Sequence, residues 1–208
     1  MKLLAFLLSI LLFSSASVPK LHSQKIAEGV TVSLPSDFVP MSDNDIAQRY
    51  PSTKKPLAMY TSLDRVVDFG VNDSKAKFPG SDLNILKDFY LSTILSLYNK
   101  VDFIQKGLIQ PIKKRNYIVF EFTSEIDQTH KYTYLQYALI NNRVFIFNFT
   151  CPQEYMGKWQ ATAKAVMQTV KLNDAQVSKN VVQQVEPEKK GKNSKETFKD
   201  LNSRKKAK

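Results

Sequence analysis

The stretch RVFIFNFTCPQEYMGKWQATAKAVMQTV, residues 143–170, joins the most apolar strand of the chain to a helix. Both alternating sets of the strand are apolar, one of them Phe145, Phe147 and Phe149, the other Val144 and Ile146. A strand that is apolar on both sides is typical of the centre of a sheet with both faces covered. Pro152 ends the strand, and residues 153–170 are predicted to form a helix with one buried stripe. That stripe contains Tyr155, Trp159, Ala163, Val166 and Val170.

The rest of the chain supplies further strands and a second long helix. Alternating or β-branched runs predict strands at 30–34, 57–62, 65–72, 101–112, 116–122 and 131–140. Gly107 indicates a bulge, and Asn141-Asn142 is typical of a tight turn with positive φ. Ser42 is predicted to cap a short helix, and Ser81 to cap the long helix at 82–99. The apolar stripe predicted for that long helix is Leu86, Phe89, Tyr90, Thr93, Ile94 and Leu97.

These elements predict an α+β domain. Its antiparallel sheet has about six or seven strands, with one helix inserted after the third predicted strand and another closing the domain. Helices on both faces of that sheet would make a three-layer α/β/α sandwich.

The layout resembles the PsbP-like family, which also includes DcrB-like lipoproteins. The resemblance rests on GVTVSLPSDF at 29–38, the helix near 83–98, NYIVFEF at 116–122 and the ending at 145–172. These are packing motifs, so they indicate a fold more than a function. The resemblance implies a small accessory or binding protein, generally without catalysis. The lipoprotein members carry a lipidation cysteine, which this chain lacks near its N-terminus.

The first residues have the three-part layout of a secretory signal peptide. Met1 and Lys2 are followed by the apolar run 3–13 and then by small and polar residues. We expect a signal peptide at 1–23, with cleavage after Ala16 or after Ser23. The apolar run is short for a membrane span, so we expect no transmembrane segment after cleavage. The sequence therefore predicts an exported protein of the periplasm or the extracellular space.

The positive charge of the chain is concentrated near its end. The formal net charge is +11. Residues 174–208 hold ten Lys and Arg against five Asp and Glu, whereas residues 25–173 are nearly balanced. The composition predicts a globular domain at 24–173 and a disordered basic tail at 174–208. The tail is a candidate tether to an anionic surface or an envelope protein. Mixed charge without interleaved aromatic residues does not indicate nucleic-acid binding.

Cys151, the single cysteine, continues the apolar face of the last strand. A cysteine in such a position is typically buried as a small hydrophobe. Because the chain has no second cysteine, the core holds the fold without an internal disulfide.

Titratable residues give only weak candidates for a site. Glu121 shares a strand face with Tyr117, which suggests a ligand-binding group there together with His130. The favoured alternative is that Glu121 pairs with a basic residue on a neighbouring strand. Lys113, Lys114 and Arg115 are a candidate anion patch or a solvated turn. No metal-ligand spacing, phosphate loop or nucleophile elbow occurs, so no metal or cofactor is predicted.

The sequence therefore predicts an exported, non-enzymatic accessory or binding protein of the cell envelope. Two other functions remain open at this point. One is a small-ligand carrier with an aromatic-lined pocket, and the other is a hydrolytic enzyme that uses Glu121 or His130.

Overall fold

The computed structural model describes residues 18–51, 55–78, 80–126 and 128–176. Residues 1–17 of the expected signal peptide and residues 177–208 of the expected tail lie outside this part. Asp174 is described, and it forms an ion pair with Arg115.

The described residues contain ten strands and three α-helices. The strands are β1 Leu21–Ala27, β2 Val30–Pro35, β3 Phe38–Pro40, β4 Ala58–Ser62, β5 Asp68–Lys77, β6 Asn99–Ile112, β7 Arg115–Ile126, β8 Thr129–Ile140, β9 Arg143–Pro152 and β10 Lys171–Leu172. The helices are α1 Asp43–Arg49, α2 Leu83–Leu97 and α3 Met156–Thr169, the last preceded by a 3-10 turn at Gln153–Tyr155.

Seven of these strands form one antiparallel sheet in the order β3-β4-β5-β9-β8-β7-β6. The apolar strand β9 lies at its centre, as its two apolar faces predict. β1, β2 and β10 form a second, smaller sheet. The prediction of an α+β fold with a large antiparallel sheet is confirmed.

Successive side chains of the central strands divide between two hydrophobic clusters. On β7, Tyr117 and Val119 belong to the cluster that contains Trp159 of α3, whereas Ile118 and Phe120 belong to the cluster around α2. Because successive residues of a strand point to opposite faces, α3 and α2 pack against alternate sets of side chains.

α2 buries a narrower stripe than its sequence predicts. Leu86, Tyr90 and Ile94 are buried, but Phe89 and Leu97 are 60% and 71% exposed. The buried residues follow each other at spacings of four, and Phe89 lies about 100° around the helix from Tyr90. The helix cap also differs from the prediction, since Asp82 accepts a hydrogen bond from Asn84 N where Ser81 was expected. The expected cap of α1 is confirmed, with Ser42 Oγ accepting from Asp45 N.

Two turn predictions are confirmed by the backbone. Asn141 and Asn142 have φ of 49° and 62° between β8 and β9. Gly107 has φ of 73° at a register shift of β6. β6 forms an edge of the large sheet, and its register against β7 shifts at three places between Asn99 and Leu108.

β1 begins closer to the N-terminus than the domain expected at 24–173. Leu21, His22 and Ser23 pair with Pro35, Leu34 and Ser33 of β2. Leu21 also packs, partly buried, against the cluster around α3.

Candidate functional site

The sheet face beneath α2 changes from apolar to polar along the strands. Leu135 of β8 belongs to the α2 cluster, and its register partner on β9 is Asn148. Two residues further on the same face, Thr133 pairs with Thr150, and Thr150 pairs with Asp68 of β5. We call Asp68, Thr133, Asn148 and Thr150 the polar row. The polar row lies on the same face of the sheet as the α2 cluster. It occupies the part of that face that is next to α1.

α1 is attached to this polar row through Asp68. Arg49, the last residue of α1, places Nη2 2.6 Å from Asp68 Oδ2. Tyr50 follows the helix, and its hydroxyl donates to the same oxygen over 2.5 Å. Burial, together with the neighbouring Asp68 carboxylate, raises the pKa of Tyr50 well above its usual range, so the hydroxyl remains a donor.

The second carboxylate oxygen of Asp68 has no hydrogen-bond partner in the part of the chain that the structure describes. Asp68 is 4% exposed, and its Oδ1 accepts no hydrogen bond from the described residues. A buried carboxylate oxygen without a donor is costly, because it has lost its hydration without replacement. The buried atoms Asn148 Oδ1 and Ser124 Oγ likewise lack partners in the described part of the chain. Ser124 pairs in register with Lys131, at the end of the same face.

A surface pocket of about 250 Å³ opens beside this carboxylate. Its lining includes Arg49, Tyr50, Arg65, Asp68, Lys131 and Thr150. Two of the cations are paired, Arg49 with Asp68 and Arg65 with Asp45. Lys131 forms no ion pair within the described residues. The pocket is thus lined by three cations and one carboxylate, and Lys131 is the cation among them that forms no ion pair with a described residue.

Glu121 lies on the opposite face of the sheet, beneath α3. Its side chain is fully buried. Oε1 accepts from Tyr132 Oη over 3.0 Å and from Gln160 Nε2 over 2.6 Å. Lys164 Nζ forms an ion pair with Oε2 at 3.2 Å. These partners from β8 and α3 cover the carboxylate, so its visible role is to attach the helix to the sheet.

The three ligand-binding candidates from the sequence do not form one cluster. Tyr117 is buried on the same side of β7 as Glu121, but four residues along the strand place it ~13 Å away. His130 is exposed and pairs in register with Glu125, whereas Glu121 pairs with Tyr134. His130 therefore lies ~13 Å along β8 from Tyr134, the residue that pairs with Glu121.

The candidate anion patch occupies the turn between β6 and β7. Lys113 Nζ donates to Thr169 O over 3.1 Å, at the end of α3. Arg115 donates to Leu139 O over 3.0 Å and pairs with Asp174. Lys114 is exposed. Two of the three cations thus fasten the turn to neighbouring elements.

Cys151 is buried and unpaired, as predicted from the apolar face of β9. Burial raises the pKa of its thiol to about 12, so the sulfur is protonated at neutral pH. The described ranges hold no group of three or more His, Cys, Asp and Glu side chains placed to bind a metal. They also include no helix with the length and apolar composition needed to cross a bilayer.

Comparison with solved structures identifies relatives in fold. CyanoP, the cyanobacterial PsbP of Synechocystis sp. PCC 6803, matches with a TM-score of 0.54 at 8% identity, over 76% of this chain and 96% of that one. LpqN, involved in cell envelope biogenesis of Mycobacterium tuberculosis, matches with a TM-score of 0.53 at 8% identity, over 74% of this chain and 91% of that one. No protein-family model matches the sequence, and neither does any curated protein. The PsbP-like resemblance is confirmed at the level of fold.

Sequence reasoning did not find the pocket. Arg49, Asp68, Lys131 and Thr150 come from four separate elements, and no spacing along the chain connects them. One signal was available, since Asp68 is a charged residue within the predicted strand at 65–72. A carboxylate within a strand of a large sheet calls for a partner from another element.

Proposed function

We propose that this chain is an exported, non-enzymatic accessory protein of the cell envelope, and that it acts by binding an envelope component in the pocket beside Asp68. The observation that carries the proposal is a surface pocket lined by Arg49, Arg65 and Lys131, of which Lys131 forms no ion pair with any described residue. The signal-like N-terminus supports export. LpqN, one of the proteins of similar fold, is involved in cell envelope biogenesis, which supports the compartment.

Binding is favoured over hydrolysis by the position of the titratable groups. A hydrolytic site needs a base and an acid or nucleophile within hydrogen-bond reach of the same atom. Glu121 is covered by Tyr132, Gln160 and Lys164, and His130 lies ~13 Å along the sheet on an exposed strand end. The double variant Glu121→Gln, His130→Ala tests this, because an enzyme that used both residues would lose its activity while retaining its fold.

A carrier with an aromatic-lined pocket has less support. The aromatic side chains of the core pack on one another: the rings of Tyr90 and Tyr137 lie 4.1 Å apart, and Phe149 lies 6.3 Å from Trp159. The lining of the pocket beside Asp68 combines the charged residues Arg49, Arg65 and Lys131 with the apolar residues Val66, Cys151 and Pro152. Its chemistry suits a polar ligand better than an apolar one.

The proposal is tested by locating the protein in cells and changing the pocket. We expect the protein outside the cytoplasm, retained in the envelope fraction. Lys131→Glu should release it into the soluble exported fraction, because the change reverses the one lining cation that forms no ion pair with a described residue. Lys106→Glu, the same change on an exposed lysine of the edge strand β6, should leave retention unchanged. Cytoplasmic protein, or equal retention of both variants, would contradict the proposal.

The basic tail is proposed as a weak electrostatic tether. Its net charge of +5 would attract an anionic surface, and salt would screen that attraction. A chain that ends at Gln176 keeps the Asp174–Arg115 ion pair and removes the rest of the tail. We expect this chain to bind anionic vesicles or cell-wall polyanion less tightly than the full chain at low salt. Equal binding by both chains would exclude the tether.

A further inference from the structure

One face of α2 stays uncovered when the helix packs on the sheet. Ile85, Phe89, Ser92 and Ser96 are all exposed, and they follow each other at spacings of four, three and four residues. This spacing places them in one line along the helix, and it is the spacing of the contact positions in a coiled coil. Ile85 is 61% exposed and Phe89 is 60% exposed. We call these four residues the outer stripe.

We propose that α2 docks against α2 of a second copy of this chain, in a two-fold antiparallel pair whose outer stripes face each other. In such a pair each large side chain faces a small one. Phe89 of one copy lies opposite Ser92 of the other, and Ile85 lies opposite Ser96. Both pairs are centred on the same point of the helix, midway between residues 90 and 91, so one two-fold axis produces both. The stripe is thus complementary to itself, as a two-fold interface requires. This inference is independent of the proposed binding pocket.

A partner can cover the two serines at little cost. Ser92 Oγ donates to Asp88 O over 3.1 Å, and Ser96 Oγ donates to Thr93 O over 2.9 Å. Each hydroxyl therefore has an acceptor within its own helix, and the loss of water around it leaves no donor unpaired. The C-terminal half of the stripe thus offers two shallow positions to the large side chains of the N-terminal half of the second copy.

The charges near α2 favour the antiparallel direction and a protein partner. Asp82 caps the N-terminal end and is exposed. Lys100 follows the C-terminal end, and its side chain is 75% exposed although it pairs with Glu125. Antiparallel copies bring unlike ends of the helix together, whereas parallel copies bring like ends together. Asp88 is also exposed beside the stripe. An anionic lipid surface would be repelled by Asp82 and Asp88, so a second copy is the better occupant.

The exposed area sets the strength of the pair. Ile85, Phe89 and the flanking Leu95, which is 54% exposed, present about 250 Å² of apolar surface on each copy. Because somewhat more than half of an interface is apolar, the pair would bury ~800 Å² in total. This is less than the ~1,200–2,000 Å² that stable complexes bury. We therefore expect a weak dimer, with a Kd on the order of 0.1–1 mM.

Sedimentation equilibrium of the purified protein tests the pair. Between about 10 μM and 1 mM we expect the average mass to rise from that of the monomer toward that of the dimer. Phe89→Glu should remain monomeric over this range, because it would bury an unpaired carboxylate in the interface. Leu97→Glu is the matched control. Leu97 is 71% exposed on the same helix, but it lies about 80° around the helix from Phe89 and about 120° from Ile85. This variant should dimerise as the unchanged chain does.

An exchange of two residues separates the pair from non-specific association of an apolar helix. Ser92→Phe should weaken the dimer although it adds apolar surface, because two phenylalanines then meet at one position. The double variant Phe89→Ser, Ser92→Phe should dimerise again, since a large side chain again faces a small one. Thermal unfolding of each variant checks that it is folded.

Three results would overturn the inference. One is a monomeric protein at about 1 mM, the upper end of the expected Kd. Another is a Ser92→Phe variant that associates more strongly than the unchanged chain, or a loss in Leu97→Glu equal to that in Phe89→Glu. The third is a monomeric protein that floats with lipid vesicles unless Phe89 is replaced by Glu, which would assign the outer stripe to a lipid surface.

Discussion

Gln160 Nε2 on α3 donates to Glu121 Oε1 on β7 over 2.6 Å, so the closing helix is hydrogen-bonded to a fully buried carboxylate of the sheet. Tyr132 Oη donates to the same oxygen from β8. Burial and the Glu121 carboxylate together raise the pKa of Tyr132 well above its usual range, which keeps this hydroxyl protonated. Three elements thus meet at Glu121, in a layer where the buried Gln136 of β8 also donates to Met167 O of α3.

Replacing Glu121 should therefore lower the stability of the fold. Glu121→Ala leaves the buried Tyr132 hydroxyl and the Gln160 amide without an acceptor, and we expect a loss of about 3 kcal/mol in the free energy of unfolding. Urea unfolding measures this loss. Glu125→Ala is the matched control, because Glu125 lies on the same strand and pairs with the exposed Lys100. It should have little effect. Similar losses of stability in both variants would show that the hydrogen bonds of Glu121 contribute no more than the exposed ion pair of Glu125.

Substitution of glycine by alanine should lower the stability at one position and raise it at another. Gly107 has φ of 73°, and an added Cβ would lie 2.7 Å from Lys87 Cγ and 3.2 Å from Phe120 Cε1. We expect Gly107→Ala to destabilise by about 1–2 kcal/mol. Gly157 lies in α3 with open space around it, so Gly157→Ala should stabilise by about 0.5 kcal/mol. Thermal unfolding of the two variants measures both changes, and the same sign in both would contradict the prediction.

The buried thiol of Cys151 should make stability depend on alkaline pH. Its pKa is about 12 in the fold, against an ordinary value of 9.0. Between these values the unfolded chain loses a proton that the folded chain retains, so stability falls as pH rises from about 9. The slope is at most about 1.4 kcal/mol per pH unit.

Cys151→Ala should flatten this slope between pH 8 and 9, where unfolded tyrosines with the ordinary pKa of 10.0 are still largely protonated. At higher pH the buried tyrosines add a loss of the same sign, since their pKa values are also raised. Denaturant unfolding at pH 8, 9 and 10 measures the effect. An unchanged slope in the variant would assign the pH dependence to other groups.

We predict that the expected signal peptide is cleaved after Ala16, because of the position of β1. Cleavage after Ser23 would remove Leu21, His22 and Ser23, which pair with β2. Cleavage after Ala16 leaves the whole strand. We expect intact mass spectrometry of the exported protein to give an N-terminus at Ser17. A chain that begins at Gln24 should unfold at a lower temperature, because it loses these strand pairs and the packing of Leu21. An exported form that begins at Gln24 would contradict this prediction.

The central part of the fold was predictable because its signals are local. The two apolar faces of β9 predict its central position, and Asn141-Asn142 predict the adjoining hairpin. β1 was not predicted, because LHSQKIA next to the signal region shows no clear alternation. β3 was missed because it has only three residues, two of them exposed. The sequence also places Phe89 in the apolar stripe of α2, although it is exposed. The sequence alone does not give the width of the surface that a helix buries against a sheet.

The candidate site was largely hidden from the sequence for a different reason. Asp68 and Arg49 belong to a strand and a helix, and only their packing brings the two charges within 2.6 Å. Lys131 lies in the same pocket because β8 pairs with β9 in a register that places Lys131 opposite Pro152. The sequence does contain Glu121 as a strand carboxylate, but its partners on α3 are separated from it by two further strands along the chain.

The irregular edge strand β6 affects how the protein behaves at high concentration. A long outer strand exposes unpaired backbone groups to which another copy could add a strand, and this is the first step of fibril growth. In β6 the register shifts at three places, and Pro111 contributes no backbone donor. Lys106 lies exposed within the same strand. A second chain would have to follow these bends with its own backbone, so this edge is a poor template for polymerisation.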